Sequence, residues 1–278
     1  MHFRLIPLLT QPPPPPTITF AVQKILYRDE HILAVSKPGG MLMHRNPSLD
    51  RHATTFCDVE ARRLADVPRV FPINRLDRPA SGIVLFGLTD TAGAARLQAA
   101  LTPPDCDKRY IALVRGVPEE AEWVNDHPLT DKDSRNRTKR DCLTEFRTLL
   151  ALPDSRAALV EARLLTGRRH QIRRHLSNGR HQILGDTLYG KGRDNTFFRE
   201  NYQLPRLFLH ARRLEFTHPE TNARITVESP LAPDLRTFLY KLPDFDRAAH
   251  PALCDLGDPD DDWVPKPPVE RVPEPQDE

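Results

Sequence analysis

The chain has 278 residues, 28% of them charged and 39% hydrophobic, with a formal net charge of +2. That length can bury a substantial core in one large domain, and no apolar run approaches the roughly 20 residues that a membrane-crossing helix needs. The short LIPLL near the start precedes a proline run rather than a small-residue cleavage site, so a soluble, cytoplasmic protein is expected.

Four cysteines, Cys57, Cys106, Cys142 and Cys254, lie far apart with no CxxC pair. That pattern argues against a disulfide framework and against a zinc knuckle. The small net charge conceals a division. Residues 244–278 hold 11 acids against three bases, a net of about −8, which leaves residues 1–243 at about +10. A polyanion is the natural partner of such a basic body.

In chain order, residues 1–22 carry the run QPPPPP, which favours an extended polyproline II spacer and cannot enter a helix or a central strand. Folding is expected to begin near Gln23. KILYRDEHILAVSKPGG reads as strand, turn, strand, ended by Lys37-Pro-Gly-Gly. TTFCDVEARRLADV places Phe56, Val59, Leu64 and Val67 near helical spacing, and IVLFGLT is a short run of strand formers suited to a buried position. DTAGAARLQAAL predicts a helix with Asp90 as N-cap, and KRYIALVRG a strand ending at Gly116.

Residues 130–141, TDKDSRNRTKRD, contain five bases and no apolar residue and are expected to be a polar loop. LTEFRTLLAL and AALVEARLLT follow as strands. RRHQIRRHL follows as a short basic helix opened by Thr166 and Gly167, and RLFLHARRLEFTHP with NARITVES as two strands joined at residues 220–222. The segment 248–278 has too little apolar content to fold alone and is expected to be a disordered acidic tail. The predicted class is α+β, a mixed, mainly antiparallel sheet with flanking helices around a single domain at 23–247.

Chemistry concentrates in two places. In NRLDRPASG, residues 74–82, one acid, Asp77, stands between Arg75 and Arg78 just before a turn and a buried run. Such an acid serves either as a cap or solvated ion pair, or as an ionised carboxylate able to act as nucleophile or general base. In TGRRHQIRRHLSNGRHQILGDTLYG, residues 166–190, the first turns of the helix carry Arg168, Arg169, Arg173 and Arg174, with Arg169 and Arg173 sharing a face at i, i+4 while Gln171 and Arg174 project elsewhere. Like charges so placed imply a compensating anion, internal or phosphate.

His170, His175 and His181 are spaced by five and six, which does not stack them on one helix face, so no metal is expected. The glycines form no phosphate loop. Tyr110, in KRYIALV, is either a core aromatic or a ring that stacks on a base while its hydroxyl reaches a proton.

Taken together and in order, KPGG, NRLDRPASGIVLFGLT, KRY and GRRHQIRRHL followed by HQILGDTLYG resemble the motifs of the pseudouridine synthases of the large-subunit ribosomal A type, a family of RNA uridine isomerases. The resemblance spans residues 25 to about 240. The second motif is commonly H-R-L-D-x-x-T-S-G; here Asn74 stands for His and Ala80 for Thr, both flanking the acid without replacing it.

The resemblance implies an α+β fold with a central RNA-binding cleft and Asp77 as the catalytic aspartate. It also implies Arg173 as its ion-pair partner, Tyr110 against the uracil, and Arg75 entering the helix where the flipped base has left. Arg78, Arg168, Arg169 and Arg174 would meet RNA. The reaction needs no cofactor, metal or redox step, and no obligate protein partner is evident. With about two dozen residues before the first motif, no extra N-terminal RNA-binding domain is expected. LMHRNPSLDR, RLDRPASG and RRHL resemble the tRNA-acting members, which implies a uridine in the T stem near the acceptor stem. A ribosomal RNA synthase, a non-catalytic RNA-binding protein on this fold, and a hydrolase that would release free uracil are the alternatives.

Overall fold

The computed structural model describes residues 25–44, 55–57, 62, 67, 69–102, 104, 106–130 and 138–251. The proline-rich start, most of the TTFCDVEARRLADV helix and the acidic tail beyond Pro251 lie outside the described residues.

Twelve strands and four helices are found among them. They are β1 (Ile25–Arg28), β2 (Ile32–Lys37), β3 (Phe71–Pro72), β4 (Ser81–Gly87), α1 (Thr91–Ala100), β5 (Cys106–Arg115), β6 (Glu122–Asn125), β7 (Leu129–Thr130), β8 (Lys139–Arg140), β9 (Thr144–Leu152), β10 (Ala157–Leu164), α2 (Gln171–Asn178), α3 (Gly192–Tyr202), β11 (Leu209–Thr217), β12 (Arg224–Glu228) and α4 (Pro233–Leu239). Ten strands form one sheet in the order β1-β2-β4-β11-β5-β10-β9-β6, with β12 beside β11 and β3 beside β4. Only β4 and β11 run parallel; the other pairings are antiparallel. The expected α+β class with a mainly antiparallel sheet is therefore the observed one.

The continuous apolar run of β4 is explained by burial on both faces. Ile83 and Leu85 point, with Ile32 and Ala34, into the cluster that holds Leu97 and Leu101 beside α1. Val84 and Phe86 point, with Leu33 and Val35, into the larger cluster on the other face, where Phe56, Ile172, Phe198 and Phe238 sit. The alternation is the period-two geometry of a strand, and each such side chain contributes on the order of 1.5–3 kcal/mol by burial. Asp90 caps α1 as its sequence suggests, its carboxylate accepting from the Gly93 N–H at 2.7 Å. Gly82 has φ of +111°, and a Cβ there would lie 2.2 Å from the Ala211 carbonyl oxygen. Only glycine allows β4 to approach β11 this closely, and β4 begins where the Asp77 turn ends.

Two expectations are corrected. Thr130 and Lys139–Arg140, at the ends of the expected polar loop, pair as a separate two-stranded sheet, β7 with β8. The basic helix starts at Gln171, not at residue 168: His170 has φ of +55°, a left-handed backbone that no helix propagates through. Arg168 and Arg169 precede the helix, so Arg169 and Arg173 do not form an i, i+4 pair. The turn before α2 is held by Gln171, whose Oε1 accepts from the Arg168 N–H (2.9 Å) and the Thr166 hydroxyl (2.9 Å). Strands β3 and β6 and helices α3 and α4 add to the predicted set.

Candidate active site

The 74–80 segment is fixed to the sheet from both sides. Asn74 donates to the Ile83 carbonyl (3.0 Å) and accepts from the Leu85 N–H (2.7 Å), so the residue that replaces histidine in the motif acts as an extra rung on β4. The Ala80 N–H donates to the Asp77 carbonyl at 3.0 Å and closes the turn. On the far side, Lys37 is fully buried and donates to the carbonyls of Pro38, Met41 and Arg78 at 2.8, 3.0 and 3.3 Å. Burial and Arg206 push its ammonium down to about 7, with the charge of Asp77 opposing them.

Arg206 donates to the Pro79 carbonyl and to the Ser81 hydroxyl, both at 3.0 Å, while holding Asp234 at the start of α4 with two bonds of 2.6 and 2.9 Å. Ser81 in turn meets His210 Nδ1 at 2.9 Å, and His210 Nε2 donates to the Ser229 carbonyl at 3.1 Å. The carbonyl requires Nε2 to carry the proton, so Nδ1 accepts from Ser81. Burial pushes His210 down to about 4, and it is neutral. The Asp77 turn thus rests on a base whose buried donors and acceptors are paired.

Asp77 itself is partly exposed, and its Oδ2 accepts from Arg173 Nη1 at 2.8 Å. Arg173 projects from the first turn of α2 and is only 6% exposed. Its two remaining faces are taken by Asp186, with Nε to Oδ2 at 2.7 Å and Nη2 to Oδ1 at 2.8 Å. Burial works against the guanidinium charge, but the two carboxylates outweigh it and hold its pKa above the ordinary value. Asp186 is 1% exposed. Burial alone would raise its pKa, but Arg173 and the N–H groups of Tyr189 and Leu188, both 2.9 Å away, hold it below the usual carboxylate range.

One guanidinium therefore bridges two carboxylates, bidentate to the buried one and monodentate to the partly exposed one. The geometry leaves Asp77 Oδ1 open on its other side, where His170 Nε2 lies 3.6 Å away. His170 Nδ1 shares a 3.1 Å hydrogen bond with the Tyr189 hydroxyl, and the Tyr189 ring lies beneath Arg173 at 5.1 Å. Burial, opposed by Asp77 and reinforced by Arg173 and Arg169, keeps the His170 pKa below its ordinary value.

Tyr110 reaches this region through strand register. It pairs with Ala211 of β11, which pairs with Gly82 of β4, and on its other side with Ala162 of β10. Small residues thus flank the ring on both neighbouring strands. Burial, then the charge of Asp77, raises the Tyr110 pKa above its ordinary value, so the hydroxyl keeps its proton.

Arg75 and Arg78 are exposed on the turn, and Arg78 Nε also donates to the Gly40 carbonyl at 3.0 Å. Arg168 and Arg169 lie exposed in the turn before α2, and Arg174 donates to the Thr130 carbonyl at 3.1 Å. His175 is buried against Thr144, the His127 carbonyl and Cys142.

The sequence motifs assign no site role to Asp186, Lys37 or Arg206, and they raise His170 only as a metal ligand. Asp186 had a signal: it is the only acid in residues 166–190, among five arginines.

Residues 31–178 match the family described as RNA pseudouridylate synthase. The chain is 37% identical over 222 residues to the tRNA pseudouridine synthase C of Vibrio vulnificus (strain CMCP6), an alignment covering 74% of this chain and 89% of that one. It is 39% identical over 225 residues to the protein of that name from Vibrio cholerae (75% and 91%), and 38% over 226 residues to that from Salmonella typhimurium (75% and 85%). Two solved human structures share the fold. RNA Pseudouridylate Synthase Domain Containing 4 has a TM-score of 0.65 at 22% identity, covering 78% of this chain and 92% of that one. RNA Pseudouridylate Synthase Domain Containing 1 has a TM-score of 0.61 at 24% identity, covering 88% and 100%.

The chain belongs to the RNA pseudouridylate synthase family. It is an enzyme that isomerises uridine within RNA.

Proposed function

We propose that this chain, residues 23–247 forming its catalytic domain, is a synthase of the large-subunit ribosomal A type that converts one uridine in the T stem of tRNA, near the acceptor stem, to pseudouridine. The observation that carries the reading is the Asp77–Arg173–Asp186 bridge, which orients one carboxylate at a partly open position. In this reading Asp77 is the catalytic group. It either attacks C1′ as the N1–C1′ bond breaks, or removes the 2′ proton to give a glycal. The released uracil turns and C5 bonds to C1′, with the Asp77–C1′ ester bond breaking in the first route and Asp77 returning the proton to C2′ in the second; the C5 proton then leaves and N1 takes up a proton.

Tyr110 packs against the uracil. Arg75 occupies the place the flipped base has left, which offsets part of the few kcal/mol that unstacking costs. Arg78, Arg168, Arg169 and Arg174 hold phosphates across a cleft over the 74–80 turn. The tRNA assignment is supported by the names of the similar proteins, and a cytoplasmic protein goes with this reading.

The test maps pseudouridine in total RNA from cells with and without the gene, restored with wild type or with Asp77→Ala. Loss at a T-stem uridine, rescued by wild type alone, is expected. Loss confined to ribosomal RNA would overturn the substrate, and full rescue by Asp77→Ala would overturn the catalytic assignment.

A further inference from the structure

Beside the Asp77 site lies a cavity of about 260 Å³, bounded by the β7–β8 pair, the turn before α2 and the segment after Asp186. Neither Asp77 nor Tyr110 lines it, so it is not the space for the target uracil. Its rim carries Arg140, Arg168, Arg169 and Arg174, and none of its lining residues is acidic. Arg168 and Arg174 donate to the backbone carbonyls of Asp141 and Thr130, at 3.4 and 3.1 Å. With five N–H donors on each guanidinium, both retain donors for an anion.

The rest of the lining is of another kind. Leu188 is 58% exposed at the mouth, and Tyr189 presents aromatic surface beside it. An arginine rim joined to an aliphatic and aromatic floor matches a nucleotide, phosphate on one side and base face on the other. The volume falls just below the roughly 300–1,000 Å³ of drug-sized ligand sites, which suits one nucleotide and excludes a stem.

The cavity and the Asp77 site share a wall one side-chain pair thick. His170 faces Asp77 with Nε2 and bonds Tyr189 with Nδ1, their rings edge to face at 5.7 Å between centroids. The left-handed backbone of His170 sets its imidazole in that wall, an uncommon conformation for a residue other than glycine.

From this juxtaposition we infer that the cavity binds a second nucleotide of the substrate RNA, an immediate neighbour of the target uridine, with its base on Leu188 and Tyr189 and its phosphate on Arg168 and Arg174. The inference rests on the proposed RNA substrate and deepens it. Extruding one nucleotide leaves its neighbours partly unstacked, and a pocket that receives one of them holds the strand open without reading the stem.

The test is a protein–RNA double-mutant cycle read by binding alone. The probes are a synthetic stem-loop copied from the RNA that the mapping identifies, and two copies lacking the base on the 5′ or the 3′ side of the target. Leu188→Ala, a truncation of an exposed side chain, is expected to weaken binding of the intact stem-loop about five-fold. On one of the two abasic copies the same substitution has no further effect, and which copy it is names the neighbour. Arg168→Gln is expected to lose its effect when that neighbour's phosphate is replaced by a neutral methylphosphonate. Equal losses on all three RNAs, or none on any, would overturn the pocket. A wild-type protein that shows the coupling yet forms no pseudouridine in the stem-loop would count against the catalytic reading and leave the pocket standing.

Discussion

Asp186→Asn separates the bridge from Asp77, the proposed catalytic carboxylate. Asparagine retains an oxygen for the N–H groups of Leu188 and Tyr189, but its amide then turns a donor toward Arg173 Nε, where the carboxylate accepted at 2.7 Å. One charge-assisted hydrogen bond is lost, about 1.5–3 kcal/mol. A guanidinium only 6% exposed also loses one of its two anions; complete loss of a buried partner costs about 3–5 kcal/mol. With Asp77 still in place, the expected destabilisation is about 2–4 kcal/mol by urea unfolding. Released on that side, Arg173 can turn both Nη groups toward Asp77 and tie up Oδ1, the oxygen the bridge leaves open. Single-turnover isomerisation at saturating RNA should fall about 10- to 100-fold, equivalent to about 1.4–2.7 kcal/mol, while RNA affinity stays within about three-fold because phosphates dominate it. A variant that loses stability yet isomerises within two-fold of wild type would refute the positioning role, as would a loss that lies wholly in binding.

Arg173→Ala should be inactive and destabilised by about 3–5 kcal/mol, since it strands Asp186 at 1% exposure without a counter-ion; an active protein with an unchanged urea midpoint would contradict the pairing. His210 is predicted to make the fold acid-sensitive. Its folded pKa of about 4 lies below the ordinary 6.5, so between these values the unfolded chain binds more protons, and stability present above pH 6.5 is lost as pH falls toward 4. That amounts to roughly 2 kcal/mol by pH 5, and His210→Gln should abolish this part of the difference between pH 7.5 and pH 5; an unaltered difference would assign it elsewhere. Deleting residues 248–278, which carry nine acids and two bases, should tighten non-specific RNA binding at low salt and leave it unchanged at high salt, where charge is screened. Equal binding by both proteins at low salt would show that the tail does not compete with phosphates.

What the sequence discloses here depends on how local the cause is. The β4 strand is legible because burial on both faces demands an unbroken apolar run, and α1 because Asp90 stands three residues before the N–H it caps. The start of α2 is not, because helix propensity runs unbroken through RRHQIRRHL while the break comes from tertiary ties: His170 bonds Tyr189, and Gln171 Nε2 donates to the Leu143 carbonyl and to Thr144. The short β7–β8 pair is hidden in the same way, inside a stretch whose composition reads only as polar.

At the site, the pairing of Asp77 with Arg173 joins residues 96 apart and was reachable only through resemblance to a family. Asp186 was reachable by charge alone. Five arginines around one acid in residues 166–190 require that any guanidinium taken out of water find an anion, and the only carboxylate within the segment is the one that meets Arg173. The arginines left over cannot be neutralised from within that segment. Three of them, Arg168, Arg169 and Arg174, line the cavity beside the Asp77 site, where the nucleotide phosphate proposed above would bring a further anion.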